Sequence, residues 1–306
     1  MLYWFSIIVQ NNRYQTKARH SQYNCMKQPI EIPGIVLHKE RIAALIKPRD
    51  PASHKGNHGH ALLVAGNKGR MGAAVLSARA CLRTGAGLVT VNVPEAERTI
   101  IQTALPEAML MMREEEGAIN KFSAIGIGPA LGLEADSMKL IENIFDSYTK
   151  PVLLDADALT LLSENKAVWP AIPAGSIFTP HPAEFDRLFG SCETHEERIN
   201  RARDLSKQYP WIIVLKNART IIAVAGNTYM NTTGNSGLAK GGSGDVLSGM
   251  ILSLLAQGYE PSTAAQIGVY LHGLSADIAL KDQSLESLLA TDVIECIGKA
   301  FKSTQL

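Results

Sequence analysis

The sequence predicts an α/β fold in which a mostly parallel central sheet is covered by helices on both faces. Two observations carry this prediction. Short, almost fully apolar runs alternate along the chain with longer helical patterns, and glycine-rich turns follow the apolar runs. The strands of a parallel sheet are buried on both faces, so they read as continuous apolar runs. Strands that alternate regularly with helices are typical of three-layer α/β domains.

Seven apolar runs are interpreted as strands, because each is only a few residues long and ends in turn residues. They are residues 61–65, 88–93, 123–127, 152–154, 176–178, 211–215 and 220–224. An alanine-rich helix is predicted at residues 73–83 and ends at the glycine turn 85–87. The last part of the chain is mostly helical, with predicted helices at residues 246–257, 261–280 and 287–301.

The composition excludes several classes of protein. Thirty basic and 29 acidic side chains give a net charge of +1, which does not suit a nucleic-acid-binding protein or a polybasic membrane surface. No apolar stretch approaches the roughly 20 residues that a transmembrane helix needs. The four cysteines are scattered without a CxxC pair, so we expect free thiols in a reducing compartment, the cytoplasm.

The chain reads as one domain preceded by a short leader. No linker rich in Pro, Gly or Ser divides it, and 306 residues are compatible with one large domain. Residues 1–25 lack periodicity and a signal-peptide pattern, and a second methionine, Met26, precedes the regular part. We therefore expect a disordered leader or a misassigned start over residues 1–25 and a single domain over residues 26–306.

The segment 235–249, NSGLAKGGSGDVLSG, carries the strongest chemical signal. Glycines directly before a helix let backbone N–H groups converge on an anion, and the helix dipole adds positive potential there. Asp245 would repel a phosphate that is merely bound, but it fits a base that takes the proton from a hydroxyl attacking a phosphoryl group. The alternative is that Asp245 is a helix N-cap without a ligand. Neither a Walker A motif nor a GxGxxG fingerprint is present.

Two further turns place reactive side chains after predicted strands. His181 stands between two prolines in TPHPAEF, so it is either held rigidly to meet a ligand or is a surface histidine in a turn. Asp155 and Asp157 follow strand 152–154, and both would point the same way if the strand continued. Such a pair could hold Mg²⁺ through water and phosphates, or Asp157 could cap the next helix.

A histidine-rich segment, HKGNHGH, looks at first like a metal cluster. Its histidines are His54, His58 and His60, and they lack Cys or carboxylate partners at ligand spacing. We interpret it as a loop near a nucleotide or as a solvated turn rather than as a zinc site.

Together these motifs closely resemble the ADP/ATP-dependent NAD(P)H-hydrate dehydratases of the ribokinase-like superfamily. The resemblance runs from about Ala52 to the C-terminus and rests on KGNHGHALLVAGNKGRMGAA, LRTGAGLVTV, GIGPALG, LLDADAL, FTPHPAEF, VLKNARTIIA, NTTGNSGLAKGGSGDVLSGMILSLLAQG and VYLHGLSAD. It implies a ribokinase-like three-layer αβα sandwich. It also implies repair of NADH or NADPH hydrated at C6. A phosphoryl group from ADP, or from ATP in some members, is placed on the C6 hydroxyl, and phosphate is then eliminated.

The resemblance also assigns roles to individual residues. The base corresponds to Asp245. The contacts to hydrated NAD(P)H correspond to Ala73, Gly128, Ala130, His181 and Asp245. The contacts to ADP or its AMP moiety correspond to Lys216, Asn217, Ala218, Arg219 and Thr220, and to Gly241, Gly242, Ser243 and Gly244 in the anion-binding turn.

Three positions depart from the family pattern. Asn217 stands where a glycine is usual, but Asn is the non-glycine residue that best tolerates positive φ. Ala130 replaces the middle glycine of GPGLG and adds a methyl group where a ligand passes closely. Ser243 replaces the threonine of GGTGD.

The resemblance further implies Mg²⁺ as cofactor, ADP or ATP as phosphoryl donor, and a homotetramer. Many bacterial relatives carry an N-terminal epimerase domain, and the sequence before Ala52 is too short for one, so we expect a separate epimerase as functional partner. Two alternatives remain: a small-molecule kinase of the same superfamily, such as a hydroxyethylthiazole kinase, and a non-catalytic nucleotide-binding protein. TPHPAEF favours the dehydratase, and Asp245 argues against a protein that only binds.

Overall fold

The computed structural model describes residues 34–115 and 117–305. The predicted leader, residues 1–25, lies outside the described residues, so it stays a prediction, as does the domain start at residue 26. The described strands are β1 (Ile35–Val36), β2 (His60–Val64), β3 (Leu88–Val93), β4 (Met109–Met112), β5 (Ala124–Ile127), β6 (Val152–Leu154), β7 (Ile177–Phe178), β8 (Ile212–Leu215), β9 (Ile221–Val224) and β10 (Asn227–Met230). The described helices are α1 (Lys39–Leu45), α2 (Met71–Thr84), α3 (Arg98–Ala104), α4 (Ala135–Ser147), α5 (Asp157–Glu164), α6 (Pro182–Phe189), α7 (His195–Gln208), α8 (Ser243–Ala256), α9 (Pro261–Ala279) and α10 (Ala290–Gln305).

The described strands form one sheet in the order β1-β10-β9-β8-β7-β6-β5-β2-β3-β4. Every pair from β8 to β4 is parallel, whereas β9 is antiparallel to both of its neighbours. The turn between β9 and β10 consists of Ala225 and Gly226, with φ angles of 47° and 78°. Two consecutive positive φ angles are typical of the hairpin turns whose twist suits antiparallel strands.

Two apolar cores cover the two faces of the sheet. Side chains on β2 alternate between them, because successive residues of a strand point to opposite faces. Ala61 and Leu63 pack into a core shared with α2, α8, α9 and α10, while Leu62 and Val64 pack into a core shared with α4 and α5. The three-layer αβα sandwich with a mostly parallel sheet, predicted from the sequence, is therefore confirmed.

Helices α2 and α8 lie unusually close together. A methyl group on Gly249 of α8 would lie 2.1 Å from the carbonyl oxygen of Ser77 on α2, so only glycine fits there. One turn earlier on α8, the carbonyl oxygen of Asp245 accepts a hydrogen bond of 2.8 Å from the Ser77 hydroxyl. The close contact thus fixes the N-terminal turn of α8 against α2.

All seven predicted strands are present, with ends shifted by at most one residue. Strands β1, β4 and β10 were not predicted. Strand β1 has only two residues, too few for a pattern, whereas β4 (Met109–Met112) and β10 (Asn227–Met230) carry methionine or polar residues and lack the β-branched apolar signal. Helix α8 begins at Ser243 rather than at residue 246, because Gly242, with a φ of 93°, lets the chain enter the helix within the glycine turn.

The sheet order locates the expected ligand site. From β2 the chain continues to β3 and β4 on one side and then returns to β5 on the other side. In open α/β sheets, ligands bind beyond the carboxyl ends of the strands where the order reverses, which here is between β2 and β5. Among the described residues, no helix is both long and apolar enough to cross a lipid bilayer.

Candidate active site

The turns that follow β2, β5, β6, β7 and β8 meet at the carboxyl edge of the sheet. Gly66 after β2 donates a hydrogen bond of 2.8 Å to the carbonyl of Pro129 after β5. The backbone N–H of Lys216 after β8 donates one of 2.9 Å to the carbonyl of Pro180 after β7. The structure therefore brings together the glycine-rich and reactive turns that the sequence singled out.

Helix α8 points its N-terminus at this edge. Its N-cap residue is Gly242, and no side chain among the described residues caps the helix. The Ser243 N–H donates a hydrogen bond of 3.4 Å to the carbonyl of Lys240, whereas the N–H groups of Gly244 and Asp245 have no partner in the described part of the chain and are available to an anion. Gly241 has open space where a side chain would stand. Asp245 lies in the first turn of the helix and is not the N-cap, so the interpretation of Asp245 as a structural N-cap is wrong.

The environment of Asp245 suits a proton acceptor. The pKa of Asp245 is raised to about 6, first by burial and then by the nearby Asp155 carboxylate, while the Lys216 ammonium acts to lower it. Asp157 adds a smaller repulsion. The carboxylate is thus ionised at neutral pH but binds a proton more strongly than an ordinary aspartate, as a general base requires.

Asp155 is the centre of a buried hydrogen-bond cluster, and only 1% of the residue is exposed. Its Oδ1 accepts hydrogen bonds of 2.8 Å from Lys216 Nζ and from Thr179 Oγ1. Its Oδ2 accepts one of 2.6 Å from Ser248 Oγ on α8. All three donors act on one buried charge, which compensates the cost of burying it.

Lys216 points into the protein rather than toward solvent. Besides its contact with Asp155, Nζ lies 3.8 Å from Glu184 Oε2. Burial opposes the charge, but Asp155 and Glu184 outweigh this effect and raise the pKa of Lys216. A methyl group on Gly244 would lie only 3.5 Å from Nζ, so the ammonium stands directly beside the anion-binding turn.

The rest of the run assigned to the nucleotide lies at the surface. Asn217, Ala218 and Arg219 are exposed and Thr220 is half-buried. Asn217 Oδ1 accepts a hydrogen bond of 2.8 Å from the N–H of Ala218, which fixes the turn. Residues 217–220 are therefore accessible to a nucleotide, whereas the Lys216 side chain points into the protein.

His181 is the N-cap of α6, and its ring remains exposed. Nδ1 accepts hydrogen bonds from the N–H groups of Ala183 (3.1 Å) and Glu184 (3.2 Å). Glu184 Oε2 in turn accepts one of 2.8 Å from the His181 N–H, and Pro182 occupies the first helical position. The cap fixes the ring at the carboxyl edge of the sheet, with about half of the side chain exposed to a ligand (51%).

The turns after β2 and β5 hold the remaining predicted contacts. Ala73 is half-buried in the first turn of α2, a helix that has no side-chain cap. Gly128 donates a hydrogen bond of 3.0 Å to the carbonyl of Val64. Ala130 is half-buried and adopts a φ of 50°, a strained angle for a residue with a side chain.

Comparison with known proteins identifies the family. A family model described as NAD(P)H-hydrate dehydratase matches residues 61–299. The chain belongs to the NAD(P)H-hydrate dehydratase family.

Its relatives in this family include single-domain and bifunctional proteins. The ADP-dependent (S)-NAD(P)H-hydrate dehydratase of Bacillus subtilis is 35% identical over 272 residues, covering 86% of this chain and 96% of the relative. The bifunctional NAD(P)H-hydrate repair enzyme Nnr of Moorella thermoacetica is 35% identical over 274 residues, covering 84% of this chain. The chain spans about half the length of such bifunctional relatives (52%).

A solved structure supports the same placement. The crystal structure of the ADP/ATP-dependent NAD(P)H-hydrate dehydratase from Bacillus subtilis, co-crystallised with ATP and Mg²⁺, superimposes with a TM-score of 0.82 at 33% identity. The match covers 89% of this chain and 99% of that one. The ribokinase-like fold expected from the resemblance is thereby confirmed.

In this member of the NAD(P)H-hydrate dehydratase family, the two aspartates after β6 do not form the pair that the sequence predicted. The strand ends at Leu154, and Ala156 takes a φ of 48°, so Asp155 and Asp157 do not point the same way as on a continuing strand. Both oxygens of Asp155 are used by the buried cluster. Asp157 lies at the start of α5, where its Oδ2 accepts a hydrogen bond of 2.9 Å from the N–H of Gly132.

Mg²⁺ fits Asp157 better than Asp155. Mg²⁺ usually keeps several waters and binds one or two carboxylates together with substrate phosphates. Asp155 would have to release a lysine to bind it. Asp157 Oδ1 has no hydrogen-bond partner among the described residues, and Arg70 lies 3.5 Å from its other oxygen.

The histidines of HKGNHGH do not converge. His54 Nδ1 accepts a hydrogen bond from the N–H of Gly56, while His58 pairs with Ser53 and His60 with Thr90. Within ranges 34–115 and 117–305, no group of three or more His, Cys, Asp or Glu side chains is arranged to hold a metal ion.

Sequence reasoning missed several residues that build the site. Thr179 and Ser248 stand within the quoted motifs TPHPAEF and NSGLAKGGSGDVLSG but were given no role, although both donate hydrogen bonds to Asp155. Arg113, at the end of β4, donates hydrogen bonds to the carbonyls of Ala65, Gly66 and Leu131 and so joins the turns after β2 and β5. The prediction lacked β4, so it could not place Arg113.

Proposed function

We propose that the chain dehydrates the S epimer of C6-hydrated NADH or NADPH with ADP, or ATP, as phosphoryl donor. The products are NAD(P)H, AMP (or ADP) and phosphate, and the role is repair of damaged nicotinamide nucleotides. The observation that carries the proposal is Asp245, whose carboxylate stands in the first turn of an uncapped helix behind a glycine turn. The chemistry is that of a hydro-lyase with a kinase-like first step.

The first step is phosphoryl transfer. Asp245 takes the proton of the C6 hydroxyl, and the hydroxyl oxygen attacks the terminal phosphorus of the donor. The bond from phosphorus to the leaving AMP or ADP breaks. N–H groups of the turn Gly241–Gly244 hold the transferred phosphoryl group where negative charge is concentrated. In the second step, the C6–O bond breaks, phosphate leaves, and loss of a proton from the neighbouring ring carbon restores the double bond.

The two ligands occupy neighbouring parts of the carboxyl edge. We assign hydrated NAD(P)H to Ala73, Gly128, Ala130 and His181, on the turns beside the reversal of strand order. The AMP part of the donor is assigned to residues 217–220, which are accessible, and its phosphates to the α8 turn, because the end of β8 approaches that turn at Lys216. The names of the Bacillus subtilis relative and structure support both ADP and ATP as donors.

We propose that Asp157 would bind Mg²⁺. When bound with the donor phosphates, Mg²⁺ neutralises part of their charge, as in other phosphoryl transfers. The co-crystallisation of the related structure with ATP and Mg²⁺ supports this cofactor.

The proposal also includes partners and location. We infer a homotetramer, a functional link to a separate NAD(P)H-hydrate epimerase, and a cytoplasmic location. The free, buried thiols of Cys81, Cys192 and Cys296 suit a reducing compartment. Light scattering of the purified protein tests the tetramer, with a monomer as the contrary result.

One assay tests the activity. The protein is incubated with hydrated NADH or NADPH plus ADP or ATP, and recovery of the absorbance of the reduced nicotinamide ring is followed. Recovery that depends on the nucleotide supports the dehydratase. Donor turnover with hydroxyethylthiazole but not with the hydrates would identify a small-molecule kinase, and binding without turnover would identify a non-catalytic nucleotide-binding protein.

A further inference from the structure

The direction of the Lys216 side chain does not fit the nucleotide contact that the resemblance assigns to this residue. Residues 217–220 are accessible to a nucleotide, whereas the Lys216 ammonium is turned inward, 2.8 Å from Asp155. A side chain held this way is not placed to grip the adenosine part of a donor. Its neighbours are instead the residues around the base.

The ammonium is held from two elements of the fold and borders a third. Asp155 at the end of β6 accepts its hydrogen bond, Glu184 on α6 lies 3.8 Å away, and a methyl group on Gly244 of α8 would lie only 3.5 Å from it. Thr179 and Ser248 hold Asp155 itself in place. Because each partner is buried or half-buried, the ammonium has little freedom to move away from the anion-binding turn.

The position of Lys216 affects the charge state of Asp245. Burial and the negative Asp155 both favour the protonated form of Asp245, which cannot act as a base. Lys216 is the nearby cation that opposes them. We propose that Lys216 is a positioning residue, whose ammonium, held by Asp155, keeps the Asp245 carboxylate ionised beside the anion-binding turn.

The remaining charges around this pair do not replace Lys216. Asp157, at the start of α5, is negative and adds to the repulsion at Asp245. His272, on α9, faces Lys216, but burial lowers its pKa to about 4, so it is neutral at working pH. Glu184 on α6 is negative and supports Lys216 rather than Asp245.

The test rests on the proposed function and uses the pH dependence of kcat at saturating hydrate and donor. In the wild-type protein we expect the acidic limb near pH 6, the pKa of Asp245. Lys216→Met removes the charge at similar length, and we expect the limb to move up by about one pH unit or more. Lys216→Arg should keep the limb in place. Lys216→Met combined with Asp155→Asn removes one charge of each sign and should move the limb back toward the wild-type value.

A second measurement does not depend on turnover. The carboxyl carbon of Asp245 is titrated by NMR in protein labelled at aspartate, with the signal assigned by its loss in Asp245→Asn. The same upward shift in Lys216→Met supports the proposal even if that variant is inactive. An unchanged titration, or a rise in donor KM without any shift of the acidic limb, would overturn it. Absence of hydrate turnover in the wild-type protein would refute the proposed function, while the NMR titration would still decide the role of Lys216.

Discussion

Ser248 Oγ donates a hydrogen bond of 2.6 Å to Asp155 Oδ2 and thereby ties α8 to the end of β6. Ser248 lies three residues beyond Asp245, so the bond holds the first turns of the helix that carries the proposed base. The same aspartate binds Lys216 from β8 and Thr179 from β7. One buried carboxylate therefore aligns three strand ends with the helix.

Replacing Ser248 tests this connection. In Ser248→Ala, Asp155 loses one of three donors, and a hydrogen bond to a charged group is worth about 1.5–3 kcal/mol. We expect a loss of about that size in the free energy of unfolding, measured with urea, together with a lower kcat. Ser253→Ala is the matched control on the same helix, since the Ser253 hydroxyl accepts from the N–H of Ala86 far from the site. Equal kcat values for the two variants would contradict the connection.

The pH dependence of stability offers an independent check on Asp245. Its pKa is raised from 3.8 to about 6 in the folded protein, so the folded state binds the proton more tightly than the unfolded state. Stability therefore falls as pH rises from about 4 to about 6, by about 1–3 kcal/mol, and stays lower above that range. Asp245→Asn removes this cost.

Urea unfolding at pH 4 and pH 8 measures this effect. We expect Asp245→Asn to be more stable than the wild-type protein at pH 8 and to show a smaller gain at pH 4. A stability difference that is the same at both pH values would show that Asp245 titrates normally in the folded protein.

Arg113 is expected to act on binding of the hydrated nucleotide. Its guanidinium joins the turns after β2 and β5 through the carbonyls of Ala65, Gly66 and Leu131. Arg113→Met leaves these carbonyls without their donor, so the turns loosen and KM for the hydrate should rise about tenfold, which is about 1.4 kcal/mol. The donor KM should change little.

Arg98→Met serves as the control, because Arg98 forms an exposed ion pair with Glu95, and such pairs contribute about 0–1 kcal/mol. If the donor KM rises as much as the hydrate KM in Arg113→Met, the Arg113 guanidinium supports the whole site and not only the turns after β2 and β5.

The sequence predicted the parallel strands and the glycine turn well, because buried apolar runs and glycines before a helix are local signals. The polar strand β10 and the methionine-rich β4 escaped prediction, since neither carries the run of β-branched apolar residues that indicates a buried strand. The direction of the Lys216 side chain could not be foreseen either. It depends on Asp155, 61 residues away in sequence, and on the strand order that brings β6 and β8 to the same edge.

The interpretation of Asp155 and Asp157 as a pair failed for a similar reason. It required the strand to continue, whereas a positive φ at Ala156 turns the chain into α5. Alanine gives no hint of such an angle in a sequence. The capping role of His181 was also hidden, because histidine is not a usual N-cap residue.

Turnover of hydrated NADH by Asp245→Asn tests the central claim most directly. Asparagine keeps the size of the side chain but cannot accept the hydroxyl proton, and a positioned base is typically worth about 10²–10⁴-fold in rate. With ADP or ATP at saturation, we predict that kcat falls at least about 100-fold, while the melting temperature does not drop and ADP binds as tightly as before or slightly more tightly. Near-normal turnover by the folded variant would contradict the assignment of Asp245 as the base.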